Sequence, residues 1–320
     1  MTDERTGVAI ALSVGAMAVF GLVDNLIGLA AETGSLWQFH MLRSLLALVF
    51  LAVAARAWGV SLRSRTPRAL AGRTVFAGTS MVIYFGCLGY MPIAQVVAGL
   101  FTAPLFVVVF STLIWKEQIG PRRIIAVLFG FAGIFLVLRP DTTGFGPLTL
   151  LPVLAGAFHA LGTITTRRWC GEEGTLTVLG AFFLLMFLVG FAGVLGIGML
   201  FPDPPSGADG FVFRGWTALN PVFASVVLAQ AVGSLIAVGM MIRSYQLAEP
   251  SFIAVFENAL IVFATLWALL LWDEWPRGSA VVGIGLIIIA GIIIAIRTQS
   301  SPAAVRAEGI EGREDDLSDI

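Results

Sequence analysis

The sequence predicts an all-α membrane protein with ten transmembrane helices, arranged as two inverted five-helix halves. Composition excludes a soluble protein, since 58% of the 320 residues are hydrophobic and only 12% are charged. Soluble domains carry about 25% charged residues, so the chain lacks about half of the charge that a water-facing surface needs. The spans, the distribution of arginine and an internal repeat then define the architecture.

Ten apolar runs have about the 20 residues that a helix needs to cross the hydrocarbon core. Helices are expected because a membrane span must satisfy its own backbone polar groups in lipid. The first run is expected to be retained, since Asp3 and Glu4 do not fit the basic start of a signal peptide. The runs lie at residues 8–30, 36–57, 72–90, 94–115, 121–138, 148–167, 175–200, 222–242, 251–272 and 277–296.

Lysine and arginine are unevenly divided between the two sides of these spans. If the N-terminus is cytoplasmic, 15 of the 19 basic residues, Arg73 among them, fall on the cytoplasmic side. Arg139, Arg214 and Arg277 fall on the other side, and Arg43 lies within a span. This excess follows the positive-inside rule, so both termini are expected on the cytoplasmic side of a bacterial-type inner (plasma) membrane.

The two parts of the chain repeat one pattern. Leu113–Glu117 aligns with Leu270–Glu274, and each segment is followed by a Gly/Pro break and a glycine-bearing apolar helix. Because each copy holds five spans, an odd number, the second copy must be inverted in the bilayer. Inverted repeats are typical of secondary transporters, with the binding site near the midplane. The predicted divisions are repeat 1 at 8–139, repeat 2 at 148–297 and a disordered cytoplasmic tail at 298–320.

Short motifs follow a fixed order along both copies. The first copy holds Pro92-Ile93-Ala94, Phe101-Thr102-Ala103-Pro104-Leu105-Phe106, Glu117, Gly130-Phe131-Ala132-Gly133-Ile134 and Leu138-Arg139-Pro140; the second keeps Ala248-Glu249-Pro250, Phe256-Glu257 and Glu274. This order and spacing resemble the EamA domain, the repeat unit of the drug/metabolite transporter superfamily. The resemblance covers about 10–138 and 148–296. It implies ten helices in two inverted halves around a central cavity, with alternating access that needs no ATP.

Ionisable residues within spans are the first candidates for a transport site, because a charged group is costly at mid-membrane unless it is paired or wetted. Asp24 and Asn25 lie in span one, and His40 and Arg43 lie in span two at a comparable depth. An ion pair between Asp24 and Arg43 would be either a structural clamp or a gate or anchor for a charged substrate group. This pair is also similar to the branch of the family that includes riboflavin and S-adenosylmethionine carriers.

Glu257, with Asn258 beside it, lies well inside span nine, which holds no basic residue. An unpaired carboxylate there is suited to proton coupling or to balancing the charge of a cationic substrate. The alternative is a protonated glutamate that is hydrogen-bonded to a neighbouring helix. The Phe256-Glu257 pair is again similar to the riboflavin-carrier-like branch. His159 in span six is a candidate proton relay, with a packing role as its alternative.

Other polar residues are expected to line the cavity or to form hydrogen bonds between helices. Pro104 should kink span four, because proline breaks a backbone hydrogen bond, and it is the candidate hinge. The glycines of spans five and ten are suited to close contact between the halves or between two protomers. Glu117 and Glu274 are expected to cap span ends. The polar residues are Tyr84, Gln95, Thr102, Thr163, Gln230 and Ser234.

No motif favours an enzyme. The sequence has no P-loop, no HExxH motif and only two histidines, and Cys87 and Cys170 form no CxxC pair. We therefore expect no catalysis, cofactor or metal. The expected partners are a small-molecule substrate and the lipid bilayer, without nucleic acid and with a homodimer left open.

The expected function is secondary transport of a small organic metabolite. Uptake of a vitamin-like compound, of the riboflavin or S-adenosylmethionine type, is preferred to export of amino acids or of drugs and toxic metabolites. A membrane-embedded enzyme and a non-transporting receptor are the alternatives of another class.

Overall fold

In the computed structural model, the described residues are 2–87, 96, 99–138, 150–273, 275–276 and 278–295. All regular secondary structure in these ranges is helical, which confirms the predicted all-α class. The motif Pro92-Ile93-Ala94, Gln95, Arg139, Glu274 and the tail 298–320 lie outside the described residues. The helices are α1 (Thr2–Asp24), α2 (Ile27–Ala31), α3 (Leu36–Ala57), α4 (Pro67–Cys87), α5 (Ala103–Leu113), α6 (Pro121–Leu138), α7 (Leu150–Cys170), α8 (Thr175–Leu200), α9 (Pro221–Leu247), α10 (Pro250–Glu257), α11 (Ala259–Trp272) and α12 (Gly278–Ala295), with a short 3₁₀ turn at Ala208–Gly210.

Several of these segments are long and apolar enough to cross a membrane, so the chain is a multi-pass membrane protein. Within the described ranges, five helical segments meet this condition by length and composition alone. They are Arg5–Ala31, Leu36–Ala57, Thr175–Leu200, Pro221–Leu247 and Pro250–Trp272.

Two helices extend further than the apolar runs predicted. Helix α4 begins at Pro67 rather than at 72, and α9 continues to Leu247 rather than ending at 242. Proline suits the first position of a helix, because an N–H group at that position would have no acceptor within the helix. Both extensions contain arginine, which lowers hydropathy without ending a helix. The extension of α9 places Tyr245 inside a helix, and the extension of α4 moves Arg73 from the start of a predicted span to the second turn of a helix.

Three predicted spans are interrupted. Helices α1 and α2 are separated at Asn25 and Leu26, and α10 and α11 are separated at Asn258. In span four, a turn at Phe101 and Thr102 precedes α5, and Pro104 lies in the first turn of that helix. The predicted kink at Pro104 is therefore wrong in form, because the proline begins a helix instead of bending one. Its role as a hinge stays a prediction.

The aligned segments of the two copies share an uncommon backbone conformation. Lys116 follows α5 and Asp273 caps α11, and both residues have φ of 54°. Among the described residues these are the non-glycine residues with positive φ, a conformation that side chains other than glycine adopt infrequently. They occupy matching positions in the alignment of Leu113–Glu117 with Leu270–Glu274.

Helices from the two halves pack in antiparallel pairs. A Cβ on Gly133 of α6 would lie 2.6 Å from the Gly283 carbonyl oxygen of α12, and a Cβ on Gly130 would lie 4.0 Å from Ala290. Residue numbers therefore rise in one helix as they fall in the other. In the same way, α3 lies along α8, α4 along α7, and α1 along α9. Helix α1 also packs against α11, and α5 packs against α7.

Candidate functional site

Glu257 lies at the end of α10, where span nine is interrupted. Its carboxylate accepts a hydrogen bond from the Tyr245 hydroxyl of α9. The same oxygen, Oε1, lies 3.3 Å from Nε2 of His159 on α7. Glu257 is only 8% exposed. The expectation of an unpaired carboxylate is therefore wrong, because two other helices supply polar partners that the sequence of span nine does not contain.

The position of Tyr245 is fixed by its two neighbours on α9. The Ser244 hydroxyl donates to the Ala9 carbonyl of α1 at 2.7 Å. The Gln246 amide donates to the carbonyls of Cys170 and Glu173, each at 2.9 Å. Three consecutive side chains thus contact three different elements. This arrangement holds the Tyr245 hydroxyl at Glu257.

A buried arginine joins this group from α4. Arg73 is 6% exposed, and its Nε donates to Thr166 Oγ1 of α7 at 2.8 Å. Its Nη1 is buried and has no hydrogen-bond partner among the described residues, and its charge interacts with Tyr245. Thr166 lies seven residues after His159 and therefore on a similar face of α7. We call Arg73, His159, Thr166, Tyr245 and Glu257 the Glu257 cluster.

Asn258 fills the junction between α10 and α11. It is 1% exposed, and within the part of the chain that the structure describes its Oδ1 has no hydrogen-bond partner. A Cβ on Gly130 of α6 would lie 2.3 Å from its Nδ2, so a larger residue at position 130 would force this amide to move. The interruption in span nine therefore lies directly against the α6–α12 pair.

Asp24 belongs to a second polar group. Its Oδ1 accepts from Gln230 Nε2 of α9 at 3.2 Å, and the Asp24 side chain is exposed. Arg43 is buried, with its Nη2 3.2 Å from His40 Nδ1 and its guanidinium carbon 5.3 Å from the Phe39 ring centre. Asp24 and Arg43 interact electrostatically, but they are not among the direct ion pairs of the described residues.

Most of the remaining predicted residues donate hydrogen bonds to backbone carbonyls. Asn25 donates to the carbonyls of Gly21 and Ala264, which connects α1 to α11. Thr102 donates to the Gly99 carbonyl at 2.6 Å. Tyr84 packs edge-on against Phe85 and interacts electrostatically with Asp24, so it belongs with the Asp24 group. Thr163 and Ser234 bond within their own helices.

Arg73 and Tyr245 were not predicted as site residues. Arg73 lies at the start of the predicted run 72–90 and is counted with the cytoplasmic arginines, whereas Tyr245 lies beyond the end of the predicted run 222–242. Proline at position 67 was the available sign that α4 begins earlier.

Known proteins resemble this chain over most of its length. Residues 7–139 match the EamA-like transporter family. A riboflavin transporter of Rhizobium johnstonii is 27% identical over 85% of this chain and 84% of its own length. A pseudopaline exporter of Pseudomonas aeruginosa is 23% identical over 90% of this chain and 95% of its own. A solved crystal structure with 20% identity superposes with a TM-score of 0.69, covering 90% of this chain and 97% of that one, which shows a shared fold.

These matches confirm the resemblance that the motifs indicate. The chain therefore resembles the EamA-like transporter family of the drug/metabolite transporter superfamily: the family match covers residues 7–139, and the likeness to transporters continues through the rest of the chain.

Proposed function

We propose that the protein is a secondary transporter that moves a small organic metabolite by alternating access, coupled to protons through Glu257. The observation that carries this proposal is the buried Glu257 carboxylate at a helix interruption, bonded to Tyr245 and facing His159. Interrupted spans with polar groups at the break are typical of substrate and ion sites in transporters.

The proposed architecture has ten spans in two inverted halves, 8–139 and 148–297, around a central cavity, with both termini cytoplasmic in a bacterial-type inner membrane. The antiparallel pairing of α6 with α12 and of α3 with α8 supports inversion, since these are counterpart spans. Contacts between helices repeat in the same way. The contact of α4 with α7 has its counterpart in the contact of α9 with α1, because α4 corresponds to α9 and α7 corresponds to α1. The contact of α5 with α7 likewise has its counterpart in the contact of α11 with α1.

Proton exchange would proceed through His159. Its side chain is 28% exposed, against 10% for Glu257, so it is the better route between water and the carboxylate. In the protonated state Glu257 is neutral and suited to a buried position. After proton release, the Tyr245 hydroxyl donates to the carboxylate and partly replaces its lost hydration.

The proposed substrate is an aromatic or heteroaromatic metabolite, with uptake of a vitamin-like compound preferred. The riboflavin transporter relative and the aromatic residues Trp37, Tyr84 and Phe101 support this choice. A second candidate, export of an amino-acid-derived or toxic compound, is supported by the pseudopaline exporter relative. The same machinery serves either direction, because the gradients set the direction of net flow.

The test uses purified protein in proteoliposomes with radiolabelled riboflavin and a panel of amino acids. We expect saturable counterflow without ATP, and accumulation when a pH gradient is imposed. Glu257→Gln should keep counterflow and lose gradient-driven accumulation. Glu172→Gln, which changes an exposed glutamate, is the matched control and should retain both.

Gradient-driven accumulation by Glu257→Gln at the level of the unmodified protein would reject proton coupling. A protein that converts these compounds in detergent and gives no counterflow would instead be a membrane-embedded enzyme. A protein that binds them without either activity would be a receptor.

A further inference from the structure

The segment between α3 and α4 carries an exposed concentration of positive charge. Four arginines lie at residues 56–68, and all four are exposed. None of them takes part in an ion pair among the described residues. The sequence contains no aspartate or glutamate between Glu32 and Glu117, so the segment has no acidic neighbour along the chain. We call residues 56–68 the α3–α4 segment; its arginines are Arg56, Arg63, Arg65 and Arg68.

Large apolar side chains of the same segment are also exposed. Trp58 is 71% exposed, Val60 is 42% exposed and Leu62 is 39% exposed. They follow directly after α3, where a membrane helix leaves the hydrocarbon core. Tryptophan is enriched at this depth, because its ring is amphipathic and lies at the level of the lipid headgroups. The segment therefore combines apolar anchors with exposed guanidinium groups at the membrane surface.

The α3–α4 segment is held in a defined conformation. Gly59 has φ of +63°, and the Val60 N–H donates to the Ala55 carbonyl at 2.8 Å, which closes the end of α3. Further along, Ser64 Oγ and the Thr66 N–H donate to Glu173 Oε1 at 2.8 and 2.6 Å.

Glu173 does not neutralise the arginines. It is 6% exposed, and its Oε1 accepts from Ser64 and Thr66 rather than from a guanidinium group. The positive charge of the segment thus remains available to an external anion.

We propose that the α3–α4 segment is a binding surface for anionic phospholipid headgroups in the leaflet that it faces. Guanidinium groups form paired hydrogen bonds with phosphate oxygens, and Trp58, Val60 and Leu62 favour a lipid over a soluble anion. Basic residues beside an anionic membrane each strengthen binding by roughly five-fold. Loss of two arginines should therefore weaken binding by more than about ten-fold.

The experiment titrates the purified full-length chain in neutral detergent with phosphatidylglycerol and follows thermal unfolding. Phosphatidylglycerol should stabilise the protein, whereas phosphatidylcholine should not. Arg63→Gln/Arg65→Gln should raise the concentration for half-maximal stabilisation by more than about ten-fold. Arg63→Lys/Arg65→Lys should retain most of the affinity. Arg122→Gln, which changes an exposed arginine of α6, is the matched control and should bind as the unmodified protein does.

A second series of thermal-unfolding measurements replaces the phospholipid with soluble glycerol phosphate or inorganic phosphate. Equal stabilisation by these anions would overturn a lipid surface and indicate a site for free phosphate. A glutamine double variant within about two-fold of the unmodified protein would overturn the assignment to this segment. If that variant does not fold, the salt dependence decides, because binding through exposed arginines must weaken as sodium chloride rises from about 50 to about 500 mM.

Discussion

Arg73 is a buried cation beside the proposed proton site, and part of its hydrogen-bonding capacity is unused. Its Nε donates a hydrogen bond to Thr166, whereas its Nη1 has no partner in the described ranges. A buried charge without an ion pair contributes little to stability, because loss of hydration offsets its interactions. Because the charge lies beside the Tyr245 hydroxyl, we propose that Arg73 serves the transport cycle and not the stability of the fold.

We expect Arg73→Gln to lose gradient-driven accumulation while keeping counterflow, as Glu257→Gln does. Its free energy of unfolding should stay within about 1 kcal/mol of the unmodified protein, because a neutral side chain avoids the cost of a buried charge. Arg73→Lys keeps the charge and should restore accumulation. Proteoliposome transport and thermal unfolding of the three proteins check this. Parallel loss of stability, counterflow and accumulation in Arg73→Gln would indicate a structural residue instead.

The sequence identifies some residues of the Glu257 cluster as site candidates and does not identify others. Glu257 and His159 were identified because an ionisable group inside an apolar run is conspicuous. Tyr245 is not identified because it lies beyond the end of its apolar run, and Arg73 is not identified because it lies at the start of a run and is counted with the cytoplasmic arginines. The partners of Glu257 come from α7 and α9, distant in sequence, so a single span cannot reveal them.

Glu173 stabilises the connection between α3 and α4 by accepting hydrogen bonds from Ser64 and Thr66. Burial alone would raise the pKa of Glu173, but hydrogen bonds from Thr66 and Ser64 outweigh this effect and lower the pKa below its ordinary value. The folded state therefore holds its proton less tightly than the unfolded state. This difference stabilises the fold above the unfolded pKa of about 4.3, and it is lost as pH falls through the lower folded pKa.

We expect Glu173→Gln to lower the midpoint of thermal unfolding by a few degrees at neutral pH, because Ser64 and Thr66 lose a charged acceptor. The difference from the unmodified protein should shrink as pH falls below about 4, where the native glutamate is also protonated. Thermal unfolding over a pH series measures it, with Glu172→Gln as the exposed control. A difference that does not change with pH would mean that the charge of Glu173 does not stabilise this connection.

Helix breaks were harder to predict than helices. Hydropathy treats Pro250–Trp272 as one continuous apolar run, although the helix is interrupted at Asn258. Asn258 is placed by its contact with Gly130, a residue of the other half of the chain. Such a break is decided by tertiary packing, so the composition of the span does not contain it.

The relation between the halves appears at matching positions of the repeat. Lys116 and Asp273 share a left-handed conformation at matching positions of the alignment. The next positions along each turn are Gln118 and Trp275, which also match in the alignment, and both are exposed. An inverted repeat must place these two residues on opposite sides of the membrane.

We expect an impermeant maleimide, added to intact cells, to label Trp275→Cys and to leave Gln118→Cys unlabelled until the membrane is permeabilised. The background has Cys87 and Cys170 replaced by alanine, since both are buried free thiols. The same cysteine-free chain without a new cysteine controls for unspecific labelling. Labelling of Gln118→Cys alone would keep the inversion and reverse the assigned orientation. If both positions react from the same side, the halves run in the same direction, and the proposed alternating-access route between inverted halves is excluded.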